Sequence, residues 1–343
     1  MGVVDTIVGL QWGSEGKGKI SAYLSPRYQV MVRSGGPQAG HTFYQDGVKY
    51  VNRQIPCGVF SDCFMYIAPA GMVNLKVLED EIKRYGLTPE RLMIDKNAMV
   101  VTQEHIETEQ KSSLKMRLAS TCEGVGAAQV DKFWRKGVLF GNFVKGSWLE
   151  KYCGDVVGAI HSHIDSGGTV LIEGTQGFGL CLNHGEYPFV TSRDVTSSAL
   201  LNDAGVSPRD HRKTIGVLRT YPIRVGGNSG PTYSSEISWE KIEKSSGSTK
   251  VIREYTTVTG RLRRVFEQDY ETLERAIIVN NPDELALMFL DYINAEDFGK
   301  EVFEDLSNKS QDYVFELEER LKVPIRLIGT GPEERHIIDR CAT

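Results

Sequence analysis

Residues 9 to 19 read Gly-Leu-Gln-Trp-Gly-Ser-Glu-Gly-Lys-Gly-Lys, a segment whose chemistry is that of anion binding. Gly9, Gly13, Gly16 and Gly18 let backbone N–H groups approach a phosphate, and Lys17 and Lys19 add positive charge. The spacing Gly-x-x-x-x-Gly-Lys from Gly13 to Lys19 is that of a phosphate-binding loop. Ile20, however, stands where such a loop places its magnesium-binding Ser or Thr, so an ordinary loop of this kind is not expected. A second glycine-rich turn, Gly35-Gly36-Pro37-Gln38-Ala39-Gly40-His41-Thr42, carries an imidazole suited to proton transfer near neutral pH. Further on, Arg261, Arg263 and Arg264 crowd behind Gly260. Planar guanidinium groups pair bidentately with carboxylates, so this loop reads as a dicarboxylate trap.

These residues must be held by strands that end in loops. The apolar run Thr6 to Leu10 precedes the first loop and Ile20 to Leu24 follows it, which places the loop where a buried strand turns into a helix. Val30-Met31-Val32 reads as the strand before the second loop, and Phe43 to Val51, broken by Asp46-Gly47, as a hairpin. A strand around Met65 to Ala68 precedes an amphipathic helix over Leu75 to Tyr85, and Thr88-Pro89 starts another helical turn. Further strands are expected at Val170 to Ile172, Ile215 to Leu218, Leu285 to Leu290 and Pro324 to Ile328, with helices at Tyr270 to Val279 and Gln311 to Leu321. Strands that end in glycine-rich loops and alternate with helices imply an α/β fold: a mostly parallel central sheet flanked by helices, with its site along the strand carboxyl ends. No internal repeat or polar linker interrupts the 343 residues, so residues 1 to 343 read as one large domain.

The net charge of −5 removes the counterion-release term that drives general nucleic-acid binding, so no nucleic-acid partner is expected. Six cysteines lie scattered without zinc-site spacing, as in a reducing cytosol with free thiols. No stretch approaches the roughly 18 to 20 apolar residues of a membrane span, and a signal-peptide pattern is absent, so a cytoplasmic protein without a membrane partner is expected.

The wider string Gln11-Trp12-Gly13-x-Glu15-Gly16-Lys17-Gly18-Lys19 resembles the N-terminal signature of adenylosuccinate synthetases. That family has aspartate, the base that removes the purine N1 proton, where this chain has Ser14. The loop from Gly35 to Thr42 is similar to the family's Gly-Gly-x-Asn-Ala-Gly-His-Thr, with Gln38 in place of asparagine. Ser120 to Gly126 half-matches the monophosphate loop Thr-Thr-Gly-Arg-Gly-Ile-Gly. There Glu123 replaces an arginine, which is expected to make the loop less welcoming to anions. Asp131-Lys132-Phe133-Trp134-Arg135-Lys136-Gly137 follows the pattern Asp-Lys-x-x-Arg-Arg-Gly. Glu173 to Gly177 and Asn183 to Ser192 resemble Glu-Gly-Ala-Gln-Gly and Asp-His-Gly-Thr-Tyr-Pro-Tyr-Val-Thr-Ser, with His184 a structural turn residue. Tyr221 to Gly226 and Val258 to Arg264 resemble the ribose strand and the aspartate loop.

What the resemblance implies is a P-loop-like ligase fold in which Ser14, His41, Lys17 and Gln176 form the catalytic set. His41 would activate the purine O6 as general acid, and the Gln176 amide would read the O6 and N1 edge. Glu15, Gly16, Lys17, Gly18, Gly40, His41, Thr42, Asp291, Gly329, Gly331 and Pro332 would hold a nucleoside triphosphate. Ser14, Gln38, Thr121, Arg135, Gln176, Thr191 and Val225 would hold the purine monophosphate. Val258, Thr259, Gly260, Arg261, Arg263 and Arg264 would hold L-aspartate, with Mg2+ on Ser14 and Gly40. In the family Arg135 would reach a neighbour's substrate phosphate across a two-fold axis, which implies a homodimer. Met288-Phe289-Leu290-Asp291 keeps the aspartate of the guanine-reading Thr-Lys-Leu-Asp and loses its lysine, so ATP or dATP is expected as donor, with GTP a further candidate.

Serine at position 14 and the short chain resemble the phage branch, the 2-aminoadenylosuccinate synthetases. The expected reaction then condenses dGMP with L-aspartate through a 6-phosphoryl intermediate to give N6-succino-2-amino-2'-deoxyadenylate. A short adenylosuccinate synthetase acting on IMP is the second reading, and a nucleotide-binding pseudoenzyme the third.

Overall fold

The computed structural model describes residues 2–256 and 260–340. Along the chain come β1 (Val3–Gly9), α1 (Lys17–Leu24), β2 (Val30–Arg33), the hairpin β3 (His41–Gln45) and β4 (Val48–Asn52), β5 (Phe64–Ile67), β6 (Met72–Val73) and α2 (Leu75–Tyr85). Next are β7 (Leu92–Asp95), β8 (Met99–Val100), α3 (Gln103–Lys111), α4 (Leu114–Leu118), α5 (Val125–Phe133), α6 (Phe140–Phe143), β9 (Cys153–Gly154), α7 (Val156–Asp165), β10 (Thr169–Glu173) and α8 (Ser197–Ala204). The remainder is β11 (His211–Arg219), β12 (Ile223–Arg224), β13 (Glu236–Ile237), α9 (Trp239–Ser246), β14 (Arg264–Phe266), α10 (Tyr270–Asn280), β15 (Glu284–Met288), α11 (Asn308–Leu321), β16 (Ile325–Gly329) and β17 (Ile337–Asp339).

Among the described residues, ten strands form one sheet in the order β17-β16-β15-β11-β1-β10-β2-β5-β7-β9. Every pairing in it is parallel except β16 with β17. Both faces are covered, so the strands read as near-continuous apolar runs. Alternate residues then serve opposite sides. Val30, Val32, Val170 and Ile172 enter one apolar cluster, while Met31 and Leu171 enter the other. The chain leaves β1 and returns on both of its sides, through β10 and β11, which makes the carboxyl end of β1 a switch point where α/β sheets bind ligands.

The helix over Leu75–Tyr85 has the bounds its pattern predicts. Asn74 caps its start by accepting from Val77 N at 3.2 Å, and Gly86 ends it at φ 58. The hairpin turns at Asp46 and Gly47, with φ 51 and 75. Thr88-Pro89 starts a helical turn as expected, Thr88 O accepting from the N–H groups of Arg91 and Leu92 at 3.0 Å, before the chain extends into β7 at Leu92. One expectation needs correction. The strand expected to reach Leu290 stops at Met288, since Phe289 is left-handed at φ 63 and Leu290–Tyr292 forms a 3-10 turn. Among the described residues no helix is long and apolar enough to cross a membrane.

Candidate active site

A cleft of about 930 Å³ opens along the carboxyl ends of β1, β2, β10, β11, β15 and β16. From the expected donor set, Glu15, Gly16, Lys17, Gly18, Gly40, His41, Thr42, Asp291, Gly331 and Pro332 line it. So do Ser14, Gln38, Thr121, Gln176, Thr191 and Val225, together with Arg263. Glycine is required at the first loop for a packing reason: a Cβ on Gly18 would lie 2.8 Å from His41 Cβ and 3.0 Å from Thr42 N. Ser14 and Gln176 both face the cleft from left-handed backbone, at φ 58 and 65, a conformation that non-glycine residues adopt at a cost. Gln38 Oε1 is buried without a hydrogen-bond partner among the described residues, an acceptor left for a ligand.

His41 is set by a buried network that the sheet register builds. β2 and β10 pair with Arg33 beside Glu173, and both side chains are almost fully buried. Glu173 Oε1 lies 2.5 Å from Arg33 Nη1 and 2.6 Å from His41 Nδ1, while Oε2 accepts from Cys57 N at 2.8 Å. With Nδ1–H donating to the carboxylate, Nε2 is the ring nitrogen left for the cleft. Burial, then the Arg33 charge, pulls the His41 pKa down to about 4. Burial alone would push the Glu173 carboxyl up, but His41 and Arg33 overcome it and hold the group at about 2. The imidazole is therefore neutral near pH 7, which corrects the expectation of an imidazole poised to donate near neutrality. His41, Cys57 and Glu173 bring potential ligand atoms within 4.8 Å of one another. Arg33 already occupies the charge of that cluster, so it is no cation site. Glu173 and Arg33 had no role in the sequence reading, although each is a charged residue closing an apolar strand.

The two lysines of the first loop are engaged by protein groups. Lys17 Nζ donates to Glu15 Oε2 at 2.5 Å and to the carbonyl of Gln176. Lys19 Nζ donates at 2.7 Å to the carbonyls of Gly331 and His336, tying α1 to the loop after β16, and burial pulls its pKa down to about 7. Lys19 thus acts as a strut while still lining the cleft. The Ser14 carbonyl accepts from Arg219 Nη1 at 3.1 Å, so its hydroxyl is the oxygen it can offer a cation. Oxygen donors at Ser14 and Gly40, both on the cleft, fit a hard ion such as Mg2+.

Glu123, expected to repel anions, is balanced by Arg53 at 2.7 Å. The amides opening α5 are already filled: Glu109 accepts from Gly124 and Gly126 at 2.8 and 2.7 Å and from Ala127 at 3.2 Å. His184 stacks on Phe178, as a structural residue does.

The arginine trap is largely taken apart. Arg263 is paired with Glu254 at 2.7 Å but still faces the cleft. Arg264 opens β14 and turns away from the cleft, pairing with Glu236 of the neighbouring strand β13 at 2.6 Å. Arg261 makes a 3.4 Å contact to the Ala119 carbonyl and, like Gly260, is not on the cleft wall. Val258 and Thr259 lie outside the described residues. Gly329 also stays off the wall, packed where a Cβ would meet Met288 at 2.4 Å. Arg135 is exposed, at φ 58 just past α5, away from its own chain's cleft.

A sequence model of the family described as adenylosuccinate synthetase matches residues 6–151 and 143–300. The adenylosuccinate synthetases of Pyrococcus sp. (strain ST700) and Archaeoglobus fulgidus are each 37% identical to the chain, over 341 and 338 residues, covering 97% of it and 97% of each relative. The chain belongs to the adenylosuccinate synthetase family. It is a carbon–nitrogen ligase of that family. The fully ligated adenylosuccinate synthetase from Plasmodium falciparum shares the fold, with TM-score 0.89 at 23% identity over 98% of this chain and 100% of that one. The cyanophage S-2L succinoaminodeoxyadenylate synthetase, solved with dGMP and with dATP as energy donor, gives TM-score 0.84 at 28% identity, covering 99% of this chain and 96% of that one.

Proposed function

We propose that this synthetase joins L-aspartate to C6 of dGMP, using ATP or dATP to phosphorylate O6 first. The observation that carries the reading is Ser14. Its backbone is left-handed, a conformation aspartate tolerates better than most residues, so the backbone gives no reason to prefer serine over the family's aspartate. What serine changes is chemistry and space. It removes a carboxylate from beside the purine edge, where the 2-amino group of guanine needs room, and it cannot itself take the N1 proton, which leaves instead to a water or to the triphosphate as O6 is phosphorylated. The cyanophage relative, bound to dGMP and dATP, supports the same substrate and donor.

In this reading Gln176 orients the O6 and N1 edge, and Thr121, Thr191, Gln38 and Val225 hold the monophosphate and ribose. Mg2+ on Ser14 and Gly40 would neutralise triphosphate charge when bound. An anionic triphosphate opposes the Arg33 charge and raises the His41 pKa toward neutrality, so that a protonated Nε2 meets the charge developing on O6. The aspartate amine then displaces phosphate at C6, with Arg263 holding a carboxylate of the amino acid. The donor base would meet Asp291, whose pKa burial pushes up to about 7 against the opposing Lys19 charge. Near neutral pH that carboxyl is present in both forms: the neutral one donates and accepts, which matches N1 and N6 of adenine, and the ionised one suits guanine. Arg135 stands beside exposed Val130, Phe133 and Trp134, the last two 65% and 68% accessible, an apolar patch that fits a homodimer in which Arg135 completes the neighbour's site.

A second reading, IMP as the purine, is favoured by the names of the archaeal relatives, which are more similar in sequence than the phage enzyme. Phosphate release at saturating aspartate and fixed Mg2+, compared for dGMP, GMP and IMP, separates the two. A wild-type preference for dGMP of a hundredfold or more, about 2.7 kcal/mol in kcat/KM, is expected, with Ser14→Asp losing dGMP turnover. A wild-type enzyme that prefers IMP overturns the dGMP reading.

A further inference from the structure

The segment leading into the arginine loop carries a carboxylate that no role above uses. Both oxygens of Glu254 accept from Arg219, Nη2 on Oε1 and Nη1 on Oε2 at 3.1 Å. Oε2 also accepts from Arg263 Nη1 at 2.7 Å and Oε1 from the Tyr292 hydroxyl at 3.2 Å. The Glu254 carbonyl takes the Arg263 N–H at 2.9 Å. Arg219 is fully buried, its guanidinium lies 4.0 Å from the centre of the Phe289 ring, and its Nη1 holds the Ser14 carbonyl at 3.1 Å. A continuous line of charged contacts thus runs from the cleft through Arg263, Glu254 and Arg219 to the phosphate loop.

Two guanidinium groups share this one carboxylate. Burial alone would raise the Glu254 pKa, but the charges of Arg219 and then Arg263 hold it at about 2, so the centre keeps one net positive charge. Arg263 Nε has no hydrogen-bond partner among the described residues, which leaves that side of the fork for an incoming anion. A dicarboxylate that reaches Arg263 competes with Glu254 for the guanidinium. Whatever Glu254 yields there it regains on Arg219, the residue that fixes Ser14 and stacks on Phe289 at the donor-base end of the cleft.

We propose that Glu254 is a positioning residue that couples dicarboxylate binding at Arg263 to the phosphate loop at Ser14, so that aspartate and the nucleoside triphosphate bind cooperatively. This rests on the reading that Arg263 faces aspartate. Succinate, which lacks the amine and cannot react, serves as the dicarboxylate probe, and the β,γ-methylene analogue of ATP as the nucleotide probe. Each is titrated calorimetrically onto the full chain with and without the other. In the wild type each should tighten the other about tenfold and by the same factor, as linkage requires. Glu254→Gln keeps the shape and removes the charge. It should bring the coupling below twofold while nucleotide affinity measured alone stays within threefold.

Coupling that survives in Glu254→Gln overturns the proposal. So does a variant in which nucleotide affinity and melting temperature collapse together with succinate binding, the mark of a merely structural group. If Glu254→Gln does not fold, Arg219→Lys, which keeps the charge and loses the fork, gives the same readout: lost coupling supports the relay and retained coupling overturns it. Succinate binding that is undiminished by Arg263→Leu fails differently, because it removes Arg263 from the aspartate site and the relay with it.

Discussion

Replacing Glu173 by glutamine tests the network that sets His41. The amide keeps the shape of the carboxylate and removes the charge that faces Arg33 at 2.5 Å, both side chains being almost fully buried. Breaking one side of a buried ion pair costs roughly 3 to 5 kcal/mol because the other charge is stranded. Here Arg33 retains two acceptors, the carbonyls of Ala39 at 2.8 Å and Arg53 at 3.1 Å, so the lower end, about 3 kcal/mol, is expected. At about 2.1 cal/mol/K per residue the 343-residue chain has an unfolding entropy near 0.7 kcal/mol/K, and the melting temperature should fall by about 4 °C. The lost charge also removes the group that favours a protonated imidazole. Turnover should therefore drop about a hundredfold, the low end of what general acid–base catalysis contributes. Urea unfolding and steady-state phosphate release measure the two effects. The paired change Arg33→Met with Glu173→Leu should recover much of the stability, since apolar replacement of a buried pair is often neutral, and none of the activity. A Glu173→Gln protein within about 1 kcal/mol of wild type and with unchanged kcat would refute the reasoning.

Stability should fall on acidification from pH 6.5 toward 4. The folded His41 pKa of about 4 lies below its ordinary 6.5, so the unfolded chain binds the proton more readily in that window. The loss should be of order 2 kcal/mol between pH 6.5 and 5, at about 1.4 kcal/mol per unit. Glu173, held at about 2, adds a further loss below pH 4.5, and His41→Asn should flatten only the upper part of the urea-midpoint profile. Arg263→Leu should raise the aspartate KM about 30- to 150-fold, for roughly 2 to 3 kcal/mol of charge-assisted bonding, while Arg264→Leu, whose guanidinium faces Glu236, should stay within about threefold. Equal KM values in the two variants would remove the distinction. Arg135→Ala and His41→Ala, each inactive alone, should regain activity when mixed and allowed to exchange subunits; no recovery despite proven exchange would reject a shared site.

The sequence was most informative where the cause is local. Asn74, the apolar period and Gly86 delimit α2 from inside or immediately beside its own 11 residues, and Asp46-Gly47 turns the hairpin for reasons internal to those two residues. The glycine loops were legible for the same reason, and nearly all of their expected residues line the cleft. Short strands gave weaker signals. β7, β9 and β17 went unseen because four, two and three residues carry little periodicity. The apolar pattern carries the strand through Phe289 because nothing local forbids it, yet the chain needs a left-handed residue there to turn Asp291 into the cleft.

Alone, then, the sequence determined the family, the α/β class and the identity of the loops, since these depend on residue types at fixed spacing. Only the tertiary structure decided which charges face the ligand. Arg33 and Glu173 are 140 residues apart and meet through a parallel register, and burial of His41 beside them, with the Arg33 charge, keeps the imidazole neutral. Arg263 and Arg264 are adjacent in sequence and pair with different carboxylates, Glu254 and Glu236, while Lys17 and Lys19 are held by Glu15 and by distant carbonyls. A charge's partner and its degree of burial are non-local quantities, fixed when strands far apart in the chain pack side by side.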